Sequence, residues 1–338
     1  MGLDSREVTP ELTRAVVHLA AEVRSFERAE ITTEKVLGHK VSRSTIRRLA
    51  KQVGQELAHQ KELEERADGR EVVVPEMAVV SCDGGRIRTR EPECGRGVHL
   101  SGEKGWRETK NSSFERMCRN KKHVANQDPC ESLPTSFRTA KKVANIAEKP
   151  VPNADEPDDE RGNEKAQPVK YEGPRRVLRT VLSSMASSDE FGPMMQREAK
   201  RRRFYEAPLR AFLGDGLNWN WTIWKKYFPT FVPILDFIHA IQYIFAAAMA
   251  MVSNETEGWA TYLRLVTLCW EGRVDLVTEQ LRTACLERGI NLEQKMGDDH
   301  PHKPLLDAIR YLTNNRSRMD YPKYRRMGLP VTLSLIHI

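Results

Sequence analysis

Two aspartates each follow an apolar run and sit beside glycine. Met77-Ala78-Val79-Val80-Ser81-Cys82 leads into Asp83-Gly84-Gly85, and Leu209-Arg210-Ala211-Phe212-Leu213 leads into Gly214-Asp215-Gly216. Further on, Leu235 leads into Asp236-Phe237-Ile238-His239. An aspartate where a buried strand stops is held still yet open to a metal ion. Hard Mg²⁺ or Mn²⁺ prefers carboxylate oxygen and keeps several of its waters. Two such ions roughly 3.5–4 Å apart activate a water or a 3′-hydroxyl and stabilise the leaving oxygen of a phosphodiester. Two carboxylates from distant positions are the minimum for that chemistry. Each residue also has a plainer reading. Asp83-Gly84 suits a hairpin turn, Asp215 between glycines suits another, Asp236 suits a helix N-cap, and His239 suits a satisfied core histidine.

The elements around these residues are expected to alternate. Residues 72–74 and 77–82 read as β-type, and the glycine-dotted stretch beyond Gly84 suggests hairpins through Arg86–Arg90 and Trp106–Lys110. Residues 138–170 are polar, with Asp155, Glu156, Asp158, Asp159 and Glu160 crowded between Pro152, Pro157 and Pro168, and read as a solvated loop. Arg175–Tyr205 reads as helix, with Val177, Leu178, Val181, Leu182 and Met185 at helical spacing. It ends in Lys200-Arg201-Arg202-Arg203, which suits either phosphate or a solvated helix end. From Arg210 the order is strand, Asp215, helix 219–227, strand 232–235, Asp236, helix. Such tight spacing implies a right-handed crossover onto a parallel strand, and ligands on such sheets sit at the strands' C-terminal ends. Helices follow from Trp259 to Asn315. An antiparallel meander followed by strand–helix–strand, with Asp on the first strand and on the first strand after a helix, is the ribonuclease-H-like arrangement.

Residues 9–60 read as helical. A short helix at Thr32–Leu37 stops at Gly38, and Ser42 caps a basic helix whose Ile46, Leu49 and Val53 face inward. Helix, tight turn and basic helix form a helix-turn-helix pattern that would carry Arg43, Ser44, Thr45, Arg47 and Arg48 to a DNA major groove. A plain three-helix bundle with a solvated basic face fits equally. Residues 57–71 form a charged connector.

The chain has 338 residues and a net charge of +7, which favours a polyanionic partner. Its mean hydropathy of -0.58 reads as soluble, and no secretory segment or membrane span is expected. The six cysteines lack zinc-knuckle or redox spacing. A metal site of Cys94, Cys118, Cys130 and His123 is weaker than ordinary thiols. Gly95, Gly97, Gly102 and Gly105 do not form a phosphate loop.

Several runs resemble the ISKra-type bacterial insertion-sequence transposases. They are Ser81–Glu91, Trp106–Lys110, Ser188–Pro193, Phe212–Leu217, Ile234–His239 and Tyr311–Tyr321. The resemblance spans roughly residues 70–332. It implies a DDE transposase with a ribonuclease-H-like core, in which Asp83 and Asp215 are the first two catalytic acids and hold Mg²⁺ or Mn²⁺. Asp236 and His239 match an Asp-x-x-His signature that supports the site. The implied organisation is a helical DNA-binding region at 1–70, a catalytic core at 71–254 with the polar loop 138–170, and a helical insertion at 255–332. The implied partner is double-stranded DNA, bound by a homo-oligomer in the bacterial cytoplasm at the nucleoid.

The family pattern continues past Thr332 into a helix bearing a catalytic glutamate. Residues 333–338 instead read as a non-native tail resembling a translated adapter, so the expectation is a C-terminally truncated chain without its third acid. Glu255, Glu257, Glu271 and Glu293 lie in the expected insertion and are poor substitutes. The expected function is Mg²⁺-dependent strand cleavage and transfer at insertion-sequence ends, by a chain expected to be inactive as it stands. The alternative is a non-catalytic DNA-binding remnant that represses transposition.

Overall fold

The computed structural model describes residues 8–23, 25–63, 72–89, 105–147, 169–252 and 254–332. The chain divides into two compact units, residues 1–70 and residues 71–338, each treated by itself.

The first unit holds α1 (Pro10–Glu22), α2 (Phe26–Leu37) and α3 (Arg43–Leu63). Thr9 caps α1 by accepting from the Leu12 N–H, and Ser25 caps α2 by accepting from the Arg28 N–H. Helix α2 thus starts well before the expected Thr32. Gly38, at φ 68°, ends it in the left-handed conformation that glycine takes without penalty. The Ser42 hydroxyl accepts from the Thr45 N–H and starts α3. Val16, Ala29, Val41, Ile46 and Leu49 form a small core, with Val53 half-buried.

The second unit is mixed α/β. Strands β1 (Met77–Arg88) and β2 (Trp106–Cys118) are followed by α4 (Ala140–Ala147), β3 (Arg175–Ser184) and α5 (Ser188–Arg201). Then come β4 (Leu209–Gly214), α6 (Asn218–Tyr227), β5 (Val232–Leu235) and α7 (Phe237–Met251). Helices α8 (Glu255–Trp270), α9 (Val274–Glu287), α10 (Lys303–Asn315) and α11 (Tyr321–Arg326) complete it. The sheet runs β3-β2-β1-β4-β5. Strands β1, β2 and β3 pair antiparallel, whereas β1–β4 and β4–β5 pair parallel. One core holds the sheet and its helices together, and α7 packs against α8 and α10 within it.

Five expectations need correction. Asp83 is not a hairpin turn: β1 runs through Asp83-Gly84-Gly85 to Arg88, with Asp83 opposite Asn111. The expected strand at Arg86–Arg90 is, as far as Arg88, a continuation of β1. Residues 72–74 form no strand, because Pro75 has no N–H to give a ladder. Residues 140–147 are helical rather than loop, and they bury Val143 and Ile146. Arg175–Tyr205 is a strand followed by a helix. Its first half pairs with β2 at the sheet edge and leaves Val177, Leu178, Val181 and Met185 exposed. A capping box then opens α5: the Ser187 side chain accepts from the Glu190 N–H while the Glu190 carboxylate accepts from the Ser187 N–H.

The basic run 200–203 is engaged within the fold. Arg201 and Arg202 both pair with buried Glu198, and Arg203 pairs with Glu206. Described cysteines are free thiols, Cys82, Cys130, Cys269 and Cys285 buried and Cys118 partly so, while Cys94 and residues 333–338 lie outside the described residues. The apolar stretch 237–252 is the core helix α7. Among the described residues no helix is long and apolar enough to cross a membrane.

Candidate functional site

The sheet register assembles the carboxylates. The last rung of the parallel ladders runs Cys82↔Gly214 and Gly214↔Leu235. Asp83, Asp215 and Asp236 are the next residue on each of these three neighbouring strands. They form one row at the C-terminal ends of β4 and β5, where parallel neighbours lie roughly 4.8 Å apart. The Asp236 N–H donates to the Gly214 carbonyl at 2.9 Å, which locks the row.

Each carboxylate has a different setting. Asp215 is buried. Its Oδ1 accepts from the Leu217 N–H at 2.9 Å and from the Asn220 Nδ2. The same Asn220 amide reaches the Cys82 carbonyl at 3.4 Å, so one buried side chain ties β1 to the Asp215 loop. Its own Oδ1 is buried without a hydrogen-bond partner among the described residues. Asp236 is the N-cap of α7: Oδ1 accepts from the Ile238 N–H at 3.3 Å, and Oδ2 lies 2.8 Å from His239 Nδ1. The capping reading and the Asp-His reading of Asp236 are therefore both realised. Asp83 is half-buried and shares a hydrogen bond with the Asp215 carboxyl.

Two groups titrate abnormally as a result. Burial raises the Asp83 pKa most, the His239 ring pulls it back, and the charges of Asp215 and Asp236 raise it again, together with the hydrogen bond to Asp215. It ends at about 6 against an ordinary 3.8. Burial alone would lower His239, but the hydrogen bond to Asp236 and the charges of Asp236, Asp215 and Asp83 outweigh it. The imidazole is held above its ordinary range by these acids.

The loop after Asp215 is held from α10. Tyr311 Oη donates to the Asp215 carbonyl at 2.6 Å, and its ring stacks on Tyr243 with centroids 3.8 Å apart. Gly216 has φ +99°, and a Cβ there would lie 2.5 Å from the Tyr311 ring. Glycine is needed at this position for both conformation and room.

Asp83, Asp215, Asp236 and His239 are thus brought together. Asn220 and Tyr311 join them and were not foreseen as site residues. An asparagine early in a helix carries no special signal, and Tyr311 lies 96 residues from Asp215. Arg43, Ser44, Thr45, Arg47 and Arg48 belong to the other unit, at the start of α3. Arg43, Ser44 and Arg47 are exposed there, while Thr45 and Arg48 are half-buried. Arg43 lies 3.9 Å from the Glu27 carboxylate, and the Ser44 and Thr45 hydroxyls bond to Ser42.

The donor chemistry fits a hard divalent cation. Asp83 and Asp215 offer only oxygen, and their mutual repulsion is what such a cation relieves. Among the described residues no group of three His, Cys, Asp or Glu side chains is placed to hold an ion. The pair therefore offers two protein ligands, a number compatible with Mg²⁺, which usually takes one or two carboxylates and keeps waters. The fold and this row define a mixed α/β protein with a strand-end acidic site. Comparison with protein-family models and with curated proteins finds no match.

Proposed function

We propose that the chain is a metal-dependent DNA strand-cleaving and strand-joining protein of the DDE type, with a ribonuclease-H-like core. In this reading it acts as a transposase at insertion-sequence ends. One observation carries it: Asp83 and Asp215 follow paired rungs of adjacent parallel strands and meet side chain to side chain. The strand order β3-β2-β1-β4-β5, with the first strand central, supports the same reading. So do the runs that resemble ISKra-type transposases.

Asp83 and Asp215 would hold Mg²⁺ or Mn²⁺. When bound, such ions supply activation of a water or 3′-hydroxyl and neutralise charge at the phosphate. The chain's own residues do the positioning. Asn220 fixes one oxygen of Asp215 and leaves the other lone pairs for a ligand. Tyr311 pins the loop that carries Asp215. Asp236 holds the His239 ring, and the protonated ring lowers the cost of crowding three acids. Catalysis by such a site is positioning and charge neutralisation, with no covalent enzyme intermediate.

The test is nicking of supercoiled DNA carrying the insertion-sequence end, in Mn²⁺. With a helix carrying the family pattern's third acid appended, the chain is expected to nick, and Asp215→Asn in it is expected to lose at least about 100-fold in rate, on the scale of removing one preorganised electrostatic group. Full activity in Asp215→Asn defeats the assignment. The exposed basic start of α3 supports a second reading, DNA binding without cleavage. Under it the same DNA is shifted in a gel while neither the chain with the appended helix nor its Asp215→Asn variant nicks.

A further inference from the structure

A cleft of about 650 Å³ opens at the loop that follows Asp215, and the proposed cleavage chemistry does not use it. Gly216 and Leu217, the two residues that follow Asp215, line it together with Arg310, Asn314 and Arg318. Whatever occupies the cleft lies against the loop that carries the metal-binding aspartate. Its volume falls within the range of small-ligand sites.

The lining is built for an anion attached to a flat polar ring. Asp307, the acid in the cleft, is already paired with Lys303 at 2.6 Å. Arg310 reaches that same acid only at 3.5 Å, and its side chain is 62% exposed, which leaves the guanidinium open to a phosphate. The Arg318 guanidinium lies over Trp221, its central carbon 4.3 Å from the ring centroid, and donates to the Asn314 carbonyl at 3.2 Å. Trp221 is itself fixed, its Nε1 donating to Asn315 Oδ1 at 2.9 Å. The outer face of a guanidinium held this way is a stacking platform for a nucleobase. Asn218 and Asn314 are exposed at the rim, and their amides offer both donors and acceptors to a base edge.

We infer that this cleft receives one unpaired nucleotide of the DNA strand, next to the phosphate at Asp83 and Asp215. Arg310 takes its phosphate and Arg318 stacks its base. A base that stacks on Arg318 has left its pair, and an already unpaired one enters at lower cost. The inference rests on the cleavage reading for the identity of the strand, but its test does not depend on cleavage.

The measurement is fluorescence anisotropy in EDTA, which takes divalent metal out of the comparison. Two fluorescein-labelled 16-base-pair duplexes are compared, one blunt and one with a single unpaired nucleotide at its end. The unpaired nucleotide is expected to tighten binding about tenfold. Arg310→Ala removes most of that difference and barely changes the blunt duplex, while Arg310→Lys keeps part of it. Asn314→Ala, at an exposed position, reduces it less. Equal binding of both duplexes by the parent chain, or no binding of either, overturns the assignment. So does a preference that survives Arg310→Ala intact. A preference that holds while nicking fails keeps the cleft and defeats the cleavage reading.

Discussion

Asp83→Asn raises the thermal stability of the metal-free chain at pH 8, and the gain vanishes near pH 4. The sign follows from the raised pKa. Between the ordinary 3.8 and about 6, folded Asp83 keeps a proton that the unfolded chain has released. Where the folded state binds more protons, stability falls as pH rises. The penalty is complete above pH 6 and absent below 4. At 1.36 kcal/mol per unit the shift corresponds to about 3 kcal/mol. Asp83 is only half-buried, and solvent screening reduces this to about 1–2 kcal/mol. For a unit of this size that is a melting-temperature gain of roughly 2–6 °C. His239, raised in the folded state, loses its stabilising charge as pH rises and leaves a residual slope in the variant. Melting curves of both proteins from pH 4 to 8 check the prediction. A variant less stable than its parent at pH 8 would mean that Asp83 is a structural acid, held by contacts it needs. A strained acid that costs stability is the signature of a site kept for function.

Arg325→Ala is expected to have the largest effect on folding, a loss of about 3–5 kcal/mol. Arg325 and Asp128 are almost fully buried and form a bidentate pair, with Nε to Oδ1 at 2.8 Å and Nη2 to Oδ2 at 2.6 Å. Arg325 Nη1 also donates to the Trp270 carbonyl at 3.0 Å, and the guanidinium lies 4.0 Å from the Trp270 ring centroid. The pair joins α11, the end of α8 and the segment after β2. Truncating Arg325 strands a buried carboxylate. Asp128→Asn, which removes that charge, should restore part of the loss in the double variant. Denaturant unfolding of the single and double variants gives the comparison. Additive losses would show that the pair is not coupled.

The three acids were legible in the sequence because each ends an apolar run, and strand-end placement follows from that pattern for Asp215 and Asp236, whereas Asp83 lies within β1, just past its parallel ladder with β4. What surrounds them was not. The glycines after Asp83 read as a turn, yet β1 continues because β2 pairs with it along its whole length, a fact of register that no local pattern carries. Residues 175–185 mimic a helix because the edge strand is exposed over its first half and alternates only from Thr180 to Ser184, around buried Leu182, while Val177, Leu178 and Val181 happen to fall at helical spacing. Helix α4 was hidden by its polar flanks, with Val143 and Ile146 the only strong apolar signal. Asn220 and Tyr311 are site residues through contacts made across the fold, and the Arg325–Asp128 pair spans 197 residues. Such partners become visible only once the strands are in register.

The central claim is that Asp83 and Asp215 act as one divalent-cation site, and Mn²⁺ binding followed by electron paramagnetic resonance tests it most directly. The chain should take up Mn²⁺ at pH 8, Mg²⁺ should compete for it, and Asp83→Asn and Asp215→Asn should each abolish the bound fraction while keeping the fold. Mn²⁺ uptake that is unchanged in both variants, or absent from the parent chain, would contradict it.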